Sequence, residues 1–420
     1  MLRDISYTIV ARFAALFLSM LSLMLSAKYY GPEGRGFIAG TTTMASVMAT
    51  LGGLSIGRVL VFEINRAKKH PLEFFRAYIS SILALCFLLS LLIYIVALVL
   101  YAIRNDLYGK IDATYYVLVF TAVPALIWSG NSIYAFSSIN RLHAQNTIGL
   151  IVQSVYIAIV ALAIFGFGAG LIWFLVLMTA SNIATAACEI YYLIRLLKPE
   201  WKVDWSEIGI LVRNGMKLHA DTMGGILITS ANILILNYYL APREVGIYQM
   251  AMQLVSMIII VPTVVALAFN HEIATLGHDA ALIKHSRYYY YVMIMMVVLC
   301  GASYVIIPRI IVIVASNRFN DSVMLFRLLL LSVVGNTFCT LLGPQLASRG
   351  YFKYLSFSTI LLGAGGLLVS SYLIKRFHMA GAAYSTIIVY TVGMVLNLFV
   401  FGYLRKKARV TIGQVSENPA

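Results

Sequence analysis

"YYGPEGRGFIAG" runs from Tyr29 to Gly40, and "YYLAPREVGIYQ" from Tyr238 to Gln249. Each has a tyrosine pair, a proline with acidic and basic neighbours, and a glycine opening a new apolar run. Tyr29 and Tyr238 lie 209 residues apart in a chain of 420, so the phrase returns at half its length. Other pairs keep the spacing. Glu63-Ile64 matches Glu272-Ile273 at the end of the next apolar run, and Arg141 matches Arg349 at an offset of 208. An internal duplication accounts for all of them together.

Composition says what is duplicated. The chain is 61% hydrophobic and only 11% charged, where a soluble domain carries roughly 25% charged residues. Its continuous apolar runs are each long enough to cross ~30 Å of hydrocarbon as a helix, and they lack the alternation of an outer-membrane barrel. Twelve spans are predicted, near 7–29, 37–64, 75–102, 113–140, 147–165, 170–195, 216–239, 246–270, 288–312, 323–347, 353–374 and 380–404. The first has only Arg3 before it and no small-residue cleavage site after it, which reads as a retained helix rather than a signal peptide. The fold class expected is an all-α integral membrane protein of twelve transmembrane helices in two six-helix repeats. Six is even, so the repeats enter the membrane in the same direction and are parallel. The lobes are placed at 1–197 and 216–420, the second ending in a short basic tail. Between them "KPEWKVDWSEIGILVRNG", Lys198 to Gly215, reads as a cytoplasmic interfacial linker. Trp201 and Trp205 suit the interface, and Asp204 with Glu207 resembles a capping box opening a short surface helix.

The net charge of +15 is topological. With both termini inside, 19 of the 31 Lys and Arg residues fall on the cytoplasmic side, nine on the other side and three within spans. The positive-inside rule therefore places both termini, the 66–74 loop and the linker in the cytoplasm, with Glu33 and Arg243 outside. Nucleic acid is not an expected partner; membrane lipids are. The four cysteines show no CxxC spacing, so no disulfide framework or metal site is indicated. All loops are short, no Ser/His/Asp set or HExxH occurs, and "GFGAG" (Gly166 to Gly170) lacks the strand a nucleotide fingerprint needs. Neither an enzyme nor a cofactor is expected.

Polar residues inside the spans are the candidate site, since charge in hydrocarbon costs ~3 kcal/mol or more. Thr8, Arg12, Ser19, Ser22 and Ser26 share one face of the first helix; Lys217, Asp221, Gly225 and Asn232 share one of the seventh; Gln249, Gln253, Ser256 and Thr263 share one of the eighth. They are expected to line a cavity between the lobes, interhelical hydrogen bonding being the plainer alternative. Arg12 and Asp221 are 209 apart, the repeat offset again, and are expected to form a cross-lobe gate near the cytoplasmic boundary. Arg58, near Ser55, is placed with Arg12, Asn232, Gln249 and Gln253 at the substrate, snorkelling to lipid heads being its alternative. Arg141 and Arg349 are placed at the cytoplasmic mouth.

The two quoted motifs, each bridging the first two helices of a lobe, resemble the polysaccharide-transporter family of the multidrug/oligosaccharidyl-lipid/polysaccharide (MOP) exporter superfamily, most of all its Wzx-type O-antigen flippases. The resemblance implies a MATE-like MOP fold, two six-helix lobes around a cavity lined by helices 1, 2, 7 and 8, and alternating access in a bacterial inner membrane. It implies a lipid-linked substrate, undecaprenyl-diphosphate-linked oligosaccharide, moved to the periplasmic leaflet. Polysaccharide polymerase and chain-length machinery are the protein partners it suggests. With no ATP site, coupling falls to a proton or sodium gradient or to membrane potential. Two alternatives stand: an ion-coupled small-molecule exporter of the MATE kind, against which Arg12 counts, and a membrane-embedded polymerase or ligase, which would carry a large periplasmic loop.

Overall fold

The computed structural model describes residues 2–67 and 70–417. Lys68 and Lys69 of the basic loop lie outside the described residues, as do the side chains of Arg3, Thr8, Arg66 and Arg409. The described chain contains helices and no strand. In order these are α1 (Leu2–Gly52), α2 (Ile56–Ala67), α3 (Pro71–Ile103), α4 (Ala113–Phe120), α5 (Val123–Ser138) and α6 (Leu142–Phe167). They continue with α7 (Leu171–Leu197), α8 (Trp205–Tyr239), α9 (Pro242–Leu276), α10 (His278–Ala315), α11 (Asn320–Ser348) and α12 (Phe352–Glu417). Nine segments among the described residues are long and apolar enough to cross a membrane, or ten if α4 and α5, bent by 42°, make one span. The protein is a multi-pass membrane protein.

Two of those segments are double. α1 breaks at Gly31, with φ 66° and ψ −169°, a region open essentially to glycine alone. The glycine of the opening motif is therefore there for its backbone. α12 breaks at His378, φ 53°, and folds back on itself. The Ser370 and Ser385 hydroxyls are 2.5 Å apart, and Tyr354 donates to Asn397 Oδ1 at 3.1 Å. Fifteen residues of straight helix would separate the two serines by ~22 Å.

The chain divides into two compact units. Residues up to Ile226 with Leu240–Gly246 form the first, and Leu227–Tyr239 with Ile247 onward form the second. The division thus falls inside α8, not at the linker where the sequence reading set it. The short surface helix expected at the linker is absent too, because its residues from Trp205 are the first turns of α8. Asp204 does cap that helix, accepting from the N–H groups of Ser206 at 2.9 Å and Glu207 at 3.4 Å. The hydroxyl and N–H of Ser206, then the Glu207 N–H, hold its carboxyl below the usual carboxylate range. The return bond to the Asp204 N–H comes from Ser81 of α3, 2.8 Å away.

The first unit carries breaks that the second lacks. α1 gives way to α2 across Gly53–Ser55, and α4 to α5 at Thr121–Ala122, where Pro124 stands at the start of α5. At the 209 offset these fall inside α9 and α11, which run through. α9 does so although it contains Pro262.

Candidate functional site

The predicted second span is broken one turn before Arg58. Gly52 and Gly53 each cost about 1 kcal/mol of helix propensity relative to alanine, and Leu54 (φ 44°) and Ser55 (φ 54°) then take left-handed backbone. Two consecutive non-glycine residues there store of order 1–3 kcal/mol each, so their surroundings must hold them. They do. The α2 N–H of Gly57 is capped by Asn131 Oδ1 of α5 at 2.7 Å, and Asn131 is itself fixed by donating to Ile127 O at 2.8 Å. Ser55 Oγ meets Thr222 Oγ1 at 2.7 Å and His219 Nδ1 at 3.3 Å. α8 can approach because Gly215 has no side chain; a Cβ there would lie 2.5 Å from Leu54 O. Arg58 Nη1 donates to Asp221 Oδ2 at 2.7 Å. Around these groups lies a cleft of about 130 Å³ lined by Thr50, Ser55, Arg58, Asn131, Tyr134 and Thr222. It presents one cation, one carboxamide and several hydroxyls.

Asp221 thus holds Arg58, not Arg12, and the expected cross-lobe gate is replaced by a pair inside the first unit. Arg12 makes no ion pair among the described residues. It lines a larger open cavity of about 570 Å³ between α1, α5, α6 and α7, with Gln145, Asn146, Gln153, Asn182 and Glu189. Two more residues of its stripe also face this interior: Gln153 Nε2 donates to Ser19 Oγ at 3.0 Å, and Ser22 Oγ lies 3.4 Å from Tyr156 OH. The first-helix stripe therefore packs on α6 within one unit. The matching stripes on α6 and α7 went unread in the sequence. Their signal was visible as Gln145, Asn146 and Gln153 on one helix and Ser181, Asn182, Thr185 and Glu189 on the next, all at helical spacing in apolar runs.

The remaining expected site residues are structural or peripheral. Asn232 is buried in the second unit, where its amide donates to Thr386 Oγ1 at 2.8 Å and accepts from Ser370 Oγ at 2.5 Å. Asn232→Ala should lower stability by about 1–3 kcal/mol, since it strands those partners in the interior. Thermal melting of the purified protein reads that loss, and the substrate range of the surviving protein should not change. Gln249 has a buried Oε1 without a hydrogen-bond partner, and Gln253 is half-buried; both lie on α9 in the second unit. Arg141 is exposed at the start of α6. Arg349, its repeat mate, is not equivalent. It joins α11 to the start of α10 through His278 O at 2.6 Å, Asp279 Oδ1 at 3.1 Å and the Gln345 side chain. Gln345 in turn meets the buried His285, which is stacked on Phe269 and bonded to Glu272 at 2.9 Å. The two arginines are not a matched mouth.

The fold is similar to that of solved transporters of the MOP superfamily. The structure described as "Lipid II flippase MurJ, inward closed conformation" matches with TM-score 0.74 and 13% identity over 99% of this chain and 93% of that one. The inward-facing conformation of a multidrug resistance MATE family transporter matches with TM-score 0.71 and 11% identity, over 93% and 96%. The eukaryotic MATE transporter AtDTX14 matches with TM-score 0.61 and 15% identity, over 98% of each. No curated protein sequence matches the chain. Residues 1–269 match the family described as "Polysaccharide biosynthesis protein", and the chain belongs to that family.

Proposed function

We propose that the protein is a flippase for an undecaprenyl-diphosphate-linked oligosaccharide, an O-antigen or related surface-polysaccharide unit, carried from the cytoplasmic to the periplasmic leaflet of the inner membrane. The observation that carries this reading is Arg12, a guanidinium without an ion pair among the described residues, in a cavity it shares with amides, hydroxyls and Glu189. A diphosphate linker is a dianion, and arginine in a low-dielectric site meets it through paired, charge-assisted hydrogen bonds. Amides and hydroxyls suit sugars, while the lipid tail remains in the bilayer. A cationic drug would be repelled by Arg12. The family, named for polysaccharide biosynthesis, supports a glycan substrate, and the MOP fold supports movement across the membrane rather than synthesis. Twelve crossings, with each arm of α1 and α12 taken as one, and cytoplasmic termini complete the reading. An ion gradient or the membrane potential drives it.

The test is a strain lacking its own flippase and carrying this chain under an inducible promoter. Depletion should leave lipid-linked single units on the cytoplasmic face. Single units found unpolymerised in the periplasm would instead make the protein a polymerase. A cysteine in place of Glu33 should react with a membrane-impermeant thiol reagent in intact cells. Reaction only after the inner membrane is permeabilised reverses the topology.

A further inference from the structure

The cavity between α1, α5, α6 and α7 contains more than a cation. Glu189 is only 3% exposed. Its Oε1 accepts from Gln145 Nε2 at 3.2 Å, an amide shared with Ser132 Oγ at 2.8 Å, but its Oε2 has no hydrogen-bond partner. The Trp128 indole N–H stands beside it without closing a hydrogen bond. On α6 the Asn146 amide nitrogen is likewise buried and unpartnered. Both residues line the cavity with Arg12. Buried polar atoms in native proteins are nearly always satisfied. This cavity therefore lacks two partners, a donor for Glu189 Oε2 and an acceptor for Asn146, and its half-buried Arg12 makes no ion pair among the described residues.

Those requirements select a ligand. A metal cation at Glu189 would share the cavity with Arg12, whose like charge opposes it. Free phosphate would satisfy Arg12 but carries no sugar hydroxyl to serve Glu189 and Asn146. A sugar hydroxyl both donates and accepts, so one hexose can serve Glu189 and Asn146 together while a phosphate on its anomeric carbon reaches Arg12. The volume, about 570 Å³, falls within the ~300–1,000 Å³ of small-ligand pockets. We propose that this cavity is a sugar-phosphate subsite, with Arg12 on the phosphate and Glu189 and Asn146 on the hydroxyls of the first sugar. The proposal rests on the flippase reading for the source of that sugar, the lipid-linked head group.

Glucose 1-phosphate is the probe, added to the purified full-length protein in detergent with tryptophan fluorescence and calorimetry as readouts. Trp128 beside Glu189 makes the fluorescence local. Saturable binding is expected, weakened at least tenfold in Arg12→Gln and in Glu189→Gln, and severalfold in Asn146→Ala. Gly149 lines the same cavity, and a Cβ there meets nothing within 4 Å. Gly149→Leu should therefore fold, melt like the native chain and fail to bind. Failure of the native chain to bind, equal affinity for inorganic phosphate, displacement by sodium ions, or unaltered binding by folded Gly149→Leu would each overturn the subsite. The flippase reading fails separately. A chain that binds the probe as expected but never moves lipid-linked units keeps the subsite and loses that reading. Normal export by Gly149→Leu keeps the reading and removes the subsite.

Discussion

Arg58→Glu is expected to abolish surface-polysaccharide export in cells that depend on this chain, at normal protein level, while Arg58→Lys retains part of it. The geometry behind this is Arg58 Nη1 2.7 Å from Asp221 Oδ2, with the two side chains 43% and 27% exposed. So open a pair contributes only about 1 kcal/mol, and its simple loss would be mild. Reversal is different. Two carboxylates ~4 Å apart at an effective dielectric of ~20 repel by about 4 kcal/mol, and the separation that relieves them pulls α2 from α8 beside the strained Leu54–Ser55 turn. The double variant Arg58→Asp with Asp221→Arg decides what the pair does. Recovered export makes it a latch between the helices. A dead double variant with intact single-chain stability makes the guanidinium a substrate contact. Normal export by Arg58→Glu leaves neither role standing, and Arg58 then only snorkels.

Gly36→Ala should be as damaging without touching any charge. A Cβ on Gly36 would run into the carbonyl of Pro242, and one on Gly246 into the backbone of Pro32. Backbone cannot step aside as a flexible side chain does, so a single methyl there should cost about 3 kcal/mol. The cheapest escape is to part residues 240–246 from 32–36. A lower melting temperature, lost export and severalfold faster thiol labelling of a cysteine at position 33 are the expected signs. Labelling and melting identical to the native chain would show that the approach is looser than it looks.

Both predictions turn on details that the sequence showed unevenly. The apolar runs, the duplication and the all-helical class were readable because hydrocarbon leaves the backbone no alternative to helices. The break before Arg58 was readable too, in the Gly52-Gly53 pair inside a span, but an apolar average conceals two glycines. The pairing of Asp221 with Arg58 was not legible from the repeat. A repeat offset places two residues at equivalent positions in two lobes, and equivalence is adjacency only on the symmetry axis. Asp221 instead finds Arg58, one helix away in the same unit. The polar stripe of the first helix was correctly seen as facing something other than lipid. Hydropathy alone does not say whether that is an aqueous passage or the hydroxyls and amides of the next helix. For Ser19 and Ser22 it is the latter, since Gln153 and Tyr156 meet them, while Arg12 lines a cavity. The anchoring of Arg349 was not legible because its partners, Asp279 and Gln345, are distant or uncharged in the sequence.

The fold-back of α12 at His378 bears on how the protein is made. Its arms are joined with no intervening loop, and the hydroxyls of Ser370 and Ser385 satisfy one another only when both arms are present. Without the second arm, the first would lack the Ser385 partner of Ser370, leaving that serine only its bond to Asn232, and would carry Lys375 and Arg376 at its tip. On the proposed topology those two cations must be delivered across the bilayer. On that topology the 66 residues of the segment are expected to enter together as one hairpin. A ribosome stalled after the first arm should leave it outside the membrane until the second has been synthesised.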